Sequence, residues 1–429
     1  MRILNLGGAT AIIEQGGKRM LTDPWLDDGI FHGAWYHYPP MKNSIEDVGR
    51  LDYIFISHIH EDHCSAGTIR YLNRDAELII ADRTPNFVER FLQMHGFRFA
   101  KVHKVKPREP VRIADDLLVD IVEADPANEM AYAVDSALVM NWGGTTVYNA
   151  NDCQPYPDGI AYIKQHYQVD VALLPYSGGS GYPACYLNLS EAQKAERAQQ
   201  ILQSRLASFG RVAREIAPRW VMPFADQYVI AGSRSHLNRH VSHPPAPGVV
   251  REHFEDIPGR SELLLLNPGQ SFDFETGARS PDAPYEELTA DDREAYVAAH
   301  LQEKSYDHEG FELSPAVSFS RLVRYARQRL WQDQQRRKSF PEWNVYLDID
   351  GRNERYCIDL RTPEVEDVDP AMAMDQPYLR IVMSPTLAAL VLIGHISINI
   401  ADAALFLDYE RVPDRYDPEI YVLLNMLRC

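Results

Sequence analysis

Apolar residues gather in short runs along the first half of the chain, with glycine pairs between them. Residues 3–6, 10–14 and 19–22 read as strands, and Gly7-Gly8 and Gly16-Gly17 mark their corners. Tyr53-Ile54-Phe55-Ile56 is wholly apolar, which predicts a strand covered on both faces. Further strands are predicted at 78–81, 117–122, 136–141, 145–149 and 172–174, and helices at 67–73 and 86–95. A long helix over 190–216 carries an apolar stripe at helical spacing. From 267 to 294 the chain turns rich in Pro, Gly, Asp and Glu, as a linker does. Beyond it, 317–336 is helical and partly basic, with Arg327 among residues read as a solvated face. Residues 343–349 alternate like a half-buried strand. Together these predict a layered αββα domain over residues 1–275, a linker over 276–295 and a smaller α+β domain over 296–429.

At 45% hydrophobic and 24% charged, the chain has the balance of a globular protein, not a disordered one. Asp and Glu number 61 against 43 Lys and Arg, a net charge of −18. Nucleic acid and anionic membrane surfaces both call for clustered cations, so neither is expected as a partner. The one candidate span, 387–409, is broken by His395, Asn399 and Asp402, and is expected to be buried in protein. No secretory leader is read at Met1, and the five cysteines form no Cys-x-x-Cys pair. A reducing cytoplasm is the expected compartment.

The residues that carry chemistry follow the apolar strand directly: His58-Ile59-His60-Glu61-Asp62-His63. In extended chain, side chains two apart point the same way, so His58 and His60 can grip one ion. Asp62 and His63 then turn toward a second ion beside it. Imidazole suits borderline metals, and a carboxylate can bridge two of them.

His58-x-His60-x-Asp62-His63 resembles the signature of the metallo-β-lactamase superfamily. The neighbouring Asp23-Pro24-Trp25-Leu26, the run 147–153, the loop Ser177-Gly178-Gly179-Ser180-Gly181-Tyr182-Pro183 and the tail segment 412–418 resemble one branch. That branch is the metallo-β-lactamase-like part of the CMP-N-acetylneuraminate hydroxylases. The resemblance implies an α/β fold, the metallo-β-lactamase αββα sandwich, with a smaller α+β C-terminal domain. It also implies two metal ions. Asp152 matches the bridging carboxylate at the catalytic centre. His236 matches the last histidine of the pattern, with His240 and His243 as rivals. The pattern expects one more histidine for the first ion, after the strand ending at Val122. No histidine lies between His103 and His166, and Asp125-Pro126 stands where a His-Pro pair is expected. Asp125 is therefore assigned, with Glu123 and Glu129 as rivals.

A carboxylate in that place shifts the preference toward Fe or Mn over Zn. It is similar to the di-iron oxygenases on this fold that β-hydroxylate carrier-bound amino acids. The implied activity is oxygenase or oxidase chemistry with O2 on a small polar or anionic substrate. The cofactor would be two metal ions, iron preferred, with zinc or manganese as alternatives. No Rieske-type Cys-x-His element is present, so a ferredoxin or reductase is the expected electron-transfer partner. The alternative is a dinuclear hydrolase of an ester, amide or phosphodiester. Asp23 is expected to orient a ligand. Trp35, His37, Tyr176, Ser177 and Arg234 are the candidate substrate contacts. The glycine loop would offer N–H groups, and Arg234 a guanidinium, to an anion.

Overall fold

The computed structural model describes residues 1–225, 228–241, 247–254 and 261–429. Among them, two sheets lie face to face. The first has eight strands and runs, from edge to edge, Arg279–Ser280, Ser271–Asp273, Arg2–Gly7, Thr10–Gln15, Lys18–Thr22, Tyr53–Phe55, Glu77–Ala81 and Lys101–Val105. The second has seven: Glu262–Leu263, Trp220–Phe224, Val171–Pro175, Thr145–Asn149, Ser136–Trp142, Leu117–Glu123 and Val111–Ala114.

The side-chain alternation of a strand explains the layering. Tyr53 and Phe55 point inward and join Leu138, Met140 and Trp142 of the other sheet in one core. Ile54 and Ile56 point outward, under the helices Ala66–Ile69 and Phe87–Met94. On the far side, Ala137 and Val139 pack with Leu206, Phe209 and Val212 of the helix Glu191–Ile216. Ser190 caps that helix in a capping box with Gln193. The expected αββα sandwich is present.

The proposed linker 276–295 is not a free tether. Arg279–Ser280 pair with Ser271–Asp273 in the first sheet, and a helix starts at Ala290. The C-terminal part has a five-stranded sheet in the order Glu366–Val368, Glu354–Asp359, Asn344–Ile349, Tyr378–Met383 and Asp408–Val412. Its core is continuous with Trp25, Phe31, Trp35 and Tyr228 of the sandwich, so the two parts share buried surface. The stretch 387–409 folds as Pro385–Leu392 and Ile398–Ala403 and is largely buried there. No helix among the described residues is long and apolar enough to cross a membrane. Arg327 departs from the expected solvated face. It is fully buried, donating to Gln334 Oε1 at 2.5 Å and to the carbonyls of Asp359 and Thr362.

Candidate metal centre

Strands Lys18–Thr22, Tyr53–Phe55 and Glu77–Ala81 run parallel in one sheet, and Thr145–Asn149, Val171–Pro175 and Trp220–Phe224 in the other. Segments leaving the carboxyl ends of these strands meet at one edge of the sandwich, where open α/β sheets place their ligands. The turn after Tyr53–Phe55 carries His58 to His63. The turn after Thr145–Asn149 carries Asp152, and Ser177 follows Val171–Pro175. Asn151 shapes this edge: its Nδ2 donates to the Ser136 carbonyl at 3.0 Å and its Oδ1 accepts from the Asp152 amide at 2.7 Å. Ser136 Oγ in turn donates to the Ser57 carbonyl at 2.6 Å.

Each imidazole has one ring nitrogen tied away from the centre and the other facing it. His58 Nδ1 is 2.9 Å from Ser57 Oγ, while its Nε2 stands 2.9 Å from His60 Nδ1. His60 Nε2 is 3.1 Å from Asn399 Oδ1. His63 Nδ1 meets Asp23 Oδ2 at 3.0 Å, and its Nε2 lies 3.2 Å from Asp62 and 3.4 Å from Asp152. Asp23, fully buried, also accepts from the Ser57 amide at 2.7 Å and Ser57 Oγ at 2.9 Å. This is the carboxylate–imidazole arrangement that orients metal-binding histidines. Donor atoms of His58, His63 and Asp152 all fall within 4.8 Å of one another. Such convergence of nitrogens and carboxylate oxygens, with outward partners already satisfied, fits bound metal cations.

The electrostatics agree. Burial, with His63 and His60 beside it, holds His58 well below the ordinary imidazole range. Burial also opposes a charged His63, but Asp62, Asp152 and Asp23 outweigh it and hold that ring well above the ordinary range. Burial pushes Asp135 up to about 8, and the neighbouring Asp152 adds to the shift. A cavity that collects carboxylates against their desolvation cost is one suited to a cation.

A cavity of about 240 Å³ opens over these groups. His58, His60, Asp62, Asp135 and Asp152 line it, and so do Trp35 and Ser177. Several expected residues lie elsewhere. Asp125 sits in a turn, accepting from the Ala127 amide at 2.9 Å, and does not reach the cavity. Glu123 is engaged by Arg108 at 2.7 Å, and Glu129 by Arg337 at 3.3 Å on the surface. The carboxylate delivered to this place is Asp135, immediately before the strand Ser136–Trp142. The 12-residue excursion 124–135 between two paired strands returns to the same edge, so the residue that re-enters the sheet faces the centre.

His236 is exposed, in the 3₁₀ segment Gly232–His240, with Nδ1 3.0 Å from the Ser233 carbonyl. His240 is buried against Glu191 at 2.7 Å, and His243 lies outside the described residues. Among the described residues, the one that follows Trp220–Phe224 into the cavity is Ala225. Arg234 forms a two-pronged pair with Asp408, at 3.0 and 2.5 Å, and ties that segment to the C-terminal sheet. His37 is buried, stacked on Trp25 at 3.6 Å and held by Asp28 at 2.9 Å. Tyr176 belongs to the core of the second sheet's outer face. Neither lines the cavity.

Residues not anticipated complete the wall. Asn399 and Asp402 arrive on the helix Ile398–Ala403, and Arg205 on Glu191–Ile216. Trp35 stacks on Tyr228 at 3.4 Å and donates Nε1–H to the Ala403 carbonyl at 2.8 Å, which fixes the C-terminal helix over the opening. No local motif marks Asn399 or Asp402. Their polarity inside the otherwise apolar stretch 387–409 is the signal that could have found them.

The fold is the metallo-β-lactamase αββα sandwich, and residues 18–195 match the family model described as Beta-lactamase superfamily domain. The chain is similar to a Mycobacterium tuberculosis (strain ATCC 25618 / H37Rv) protein carrying the name Rieske 2Fe-2S iron-sulfur protein. The two are 30% identical over 317 residues, 70% of this chain and 60% of that protein. The cytidine monophosphate-N-acetylneuraminic acid hydroxylase of Asterias rubens is 28% identical over 273 residues, 61% of this chain and 40% of that protein. The chain thus spans about 60% and 40% of the length of these relatives. The solved isothiocyanate hydrolase from Delia radicum gut bacteria overlays with a TM-score of 0.44 at 14% identity, covering 64% of this chain and 99% of that one.

Proposed function

We propose that the centre is a dinuclear non-haem iron site that uses O2 to hydroxylate or oxidise a small polar substrate. The observation that carries this reading is the donor set: three carboxylates, Asp62, Asp135 and Asp152, face the same cavity as His58 and His60, with His63 beside them. His58, His60 and Asp135 would hold one ion and Asp62 and His63 the other, with Asp152 between them. Hard oxygen donors mixed with imidazole favour iron or manganese over zinc. The hydroxylase name of the Asterias rubens relative supports the same reaction class. Bound iron would supply activation of O2; the remaining work falls to the chain. Asp23 and Asn399 orient His63 and His60. Phe31, Trp35 and Tyr228 line the cavity and would limit the water that reaches it. Electrons would come from a redox centre outside these 429 residues, a ferredoxin or reductase among the candidates.

A hydrolase is the second reading: the same converging imidazoles and carboxylates would equally suit two ions that activate a water. The two readings part in one experiment. Iron-loaded, chemically reduced protein is mixed with aerated buffer and O2 uptake is followed; zinc-loaded protein is offered ester, amide and phosphodiester reporters under nitrogen. The oxygenase reading expects O2 uptake by the iron form, lost in Asp135→Ala, and no cleavage by the zinc form. Anaerobic cleavage at full rate without O2 uptake would overturn it.

A further inference from the structure

Other arginines near the centre are already engaged. Arg83 donates to the Tyr132 and Asp135 carbonyls, Arg108 pairs with Glu123 and Asp158, and Arg234 pairs with Asp408. Arg205 differs from these. Its side chain lines the metal cavity, yet it makes no hydrogen bond and no ion pair within 4 Å among the described residues.

We propose that Arg205 is the seat of an anionic group of the substrate, a carboxylate or a phosphate, held beside the metal centre. The placement rests on three observations. Arg205 projects from the helix Glu191–Ile216 into the same cavity as Asp62, Asp135 and Asp152. Its guanidinium lies over Gly178: a Cβ built there would stand 3.3 Å from Nε and 3.6 Å from an Nη. A glycine therefore lets the arginine lie close against the loop that lines the cavity. Ser177 and Gly179 of the same loop line the cavity next to it, so hydroxyl and backbone polar groups accompany the guanidinium. The charged neighbour that acts on Arg205 is Asp152, which the metal ions would engage. Asp402, the other carboxylate on the wall, accepts from the Tyr409 hydroxyl at 2.8 Å. With the carboxylates around it committed, the planar fork of Arg205 remains for an incoming oxyanion.

This assignment rests on the reading of the cavity as the reaction site, but on neither O2 nor hydrolysis. It is tested by calorimetric titration of inorganic phosphate and of acetate into the metal-loaded 429-residue chain. Wild type is compared with Arg205→Gln and Arg205→Lys, and each preparation is checked for metal content. A charge-assisted contact of this kind predicts that Arg205→Gln weakens anion binding about 10-fold or more, with metal content unchanged. Arg205→Lys keeps the charge without the fork and should fall between the two. Equal affinity in wild type and Arg205→Gln would place the anion on the metals alone and overturn the proposal. So would failure of wild type to bind either anion at millimolar concentration. Metal loss in Arg205→Gln would also overturn it, making the arginine a partner of Asp152. A hydrolase and an oxygenase give the same titration, so the reaction class can fail while this result stands.

Discussion

Two segments of the sandwich carry polar clusters after a buried strand, and the structure uses them in opposite ways. In 57–63 the outer ring nitrogens of His58, His60 and His63 are held by Ser57, Asn399 and Asp23, which leaves the inner nitrogens facing a common space. In Gly232–His240 the polar groups face away from that space. His236 bonds its own turn, His240 meets Glu191 on the long helix, and Arg234 grips Asp408 of the C-terminal sheet. A histidine becomes a ligand when its second nitrogen is anchored outward by a buried partner. Residue type and nearness to a strand end do not suffice. The first segment presents converging donors, and the second ties two parts of the molecule together.

The contrast breaks first at the metals. Asp152→Ala should lower metal affinity by about 100-fold or more, since even outer partners of ligands cost 10–100-fold. Elemental analysis after dialysis reads this directly. If Asp152→Ala keeps its metal and His236→Ala loses it, the roles of the two segments are reversed.

A pH effect of the next size follows from Asp402. Burial raises its carboxyl from 3.8 to about 6, and the Tyr409 hydrogen bond opposes the shift only in part. A carboxyl raised in the folded state is stabilising in its neutral form. Its contribution is present below about pH 4 and lost as pH rises through 6. In chelator-treated protein, Asp402→Asn should therefore remove up to about 3 kcal/mol of that loss. Urea titrations at pH 4 and pH 7 measure the difference, and identical slopes in wild type and variant would contradict it.

Arg234→Ala tests the second segment as a structural tie. Removing a partly buried, two-pronged arginine pair should cost on the order of 1–2 kcal/mol of stability with no change in metal content. Loss of metal at unchanged stability would return Arg234 to the site. Asn399→Ala should show a smaller effect, about 10-fold weaker binding at the ion His60 serves, because His60 loses its anchor. His236→Ala is expected to change stability by less than about 0.5 kcal/mol, as for an exposed side chain with only a local bond.

These contrasts also mark what the sequence can and cannot disclose. The buried strand Tyr53–Phe55 and the histidine run after it declare themselves locally, because period-2 burial and tight ligand spacing are properties of a few consecutive residues. Asp152, after the strand Thr145–Asn149, comes from the resemblance, which a short local match carries. Asp135 is disclosed by neither. Asp125-Pro126 stands where the resemblance expects a His-Pro pair, whereas the chain makes a detour with its own short helix, Glu129–Val134, before returning. Which end of a detour faces a site depends on pairing between Glu123 and Ser136, a long-range fact. Asn399, Asp402 and Arg205 are farther still. They reach the cavity only because the C-terminal core closes over Trp35 and because one face of a 26-residue helix turns toward it.

The central claim is that Asp135, not Asp125, completes the metal set. Elemental analysis of purified Asp135→Ala and Asp125→Ala, loaded with iron under identical conditions, tests it most directly. The account predicts wild-type metal content in Asp125→Ala and loss of at least one ion in Asp135→Ala. Full occupancy in Asp135→Ala together with loss in Asp125→Ala would contradict it.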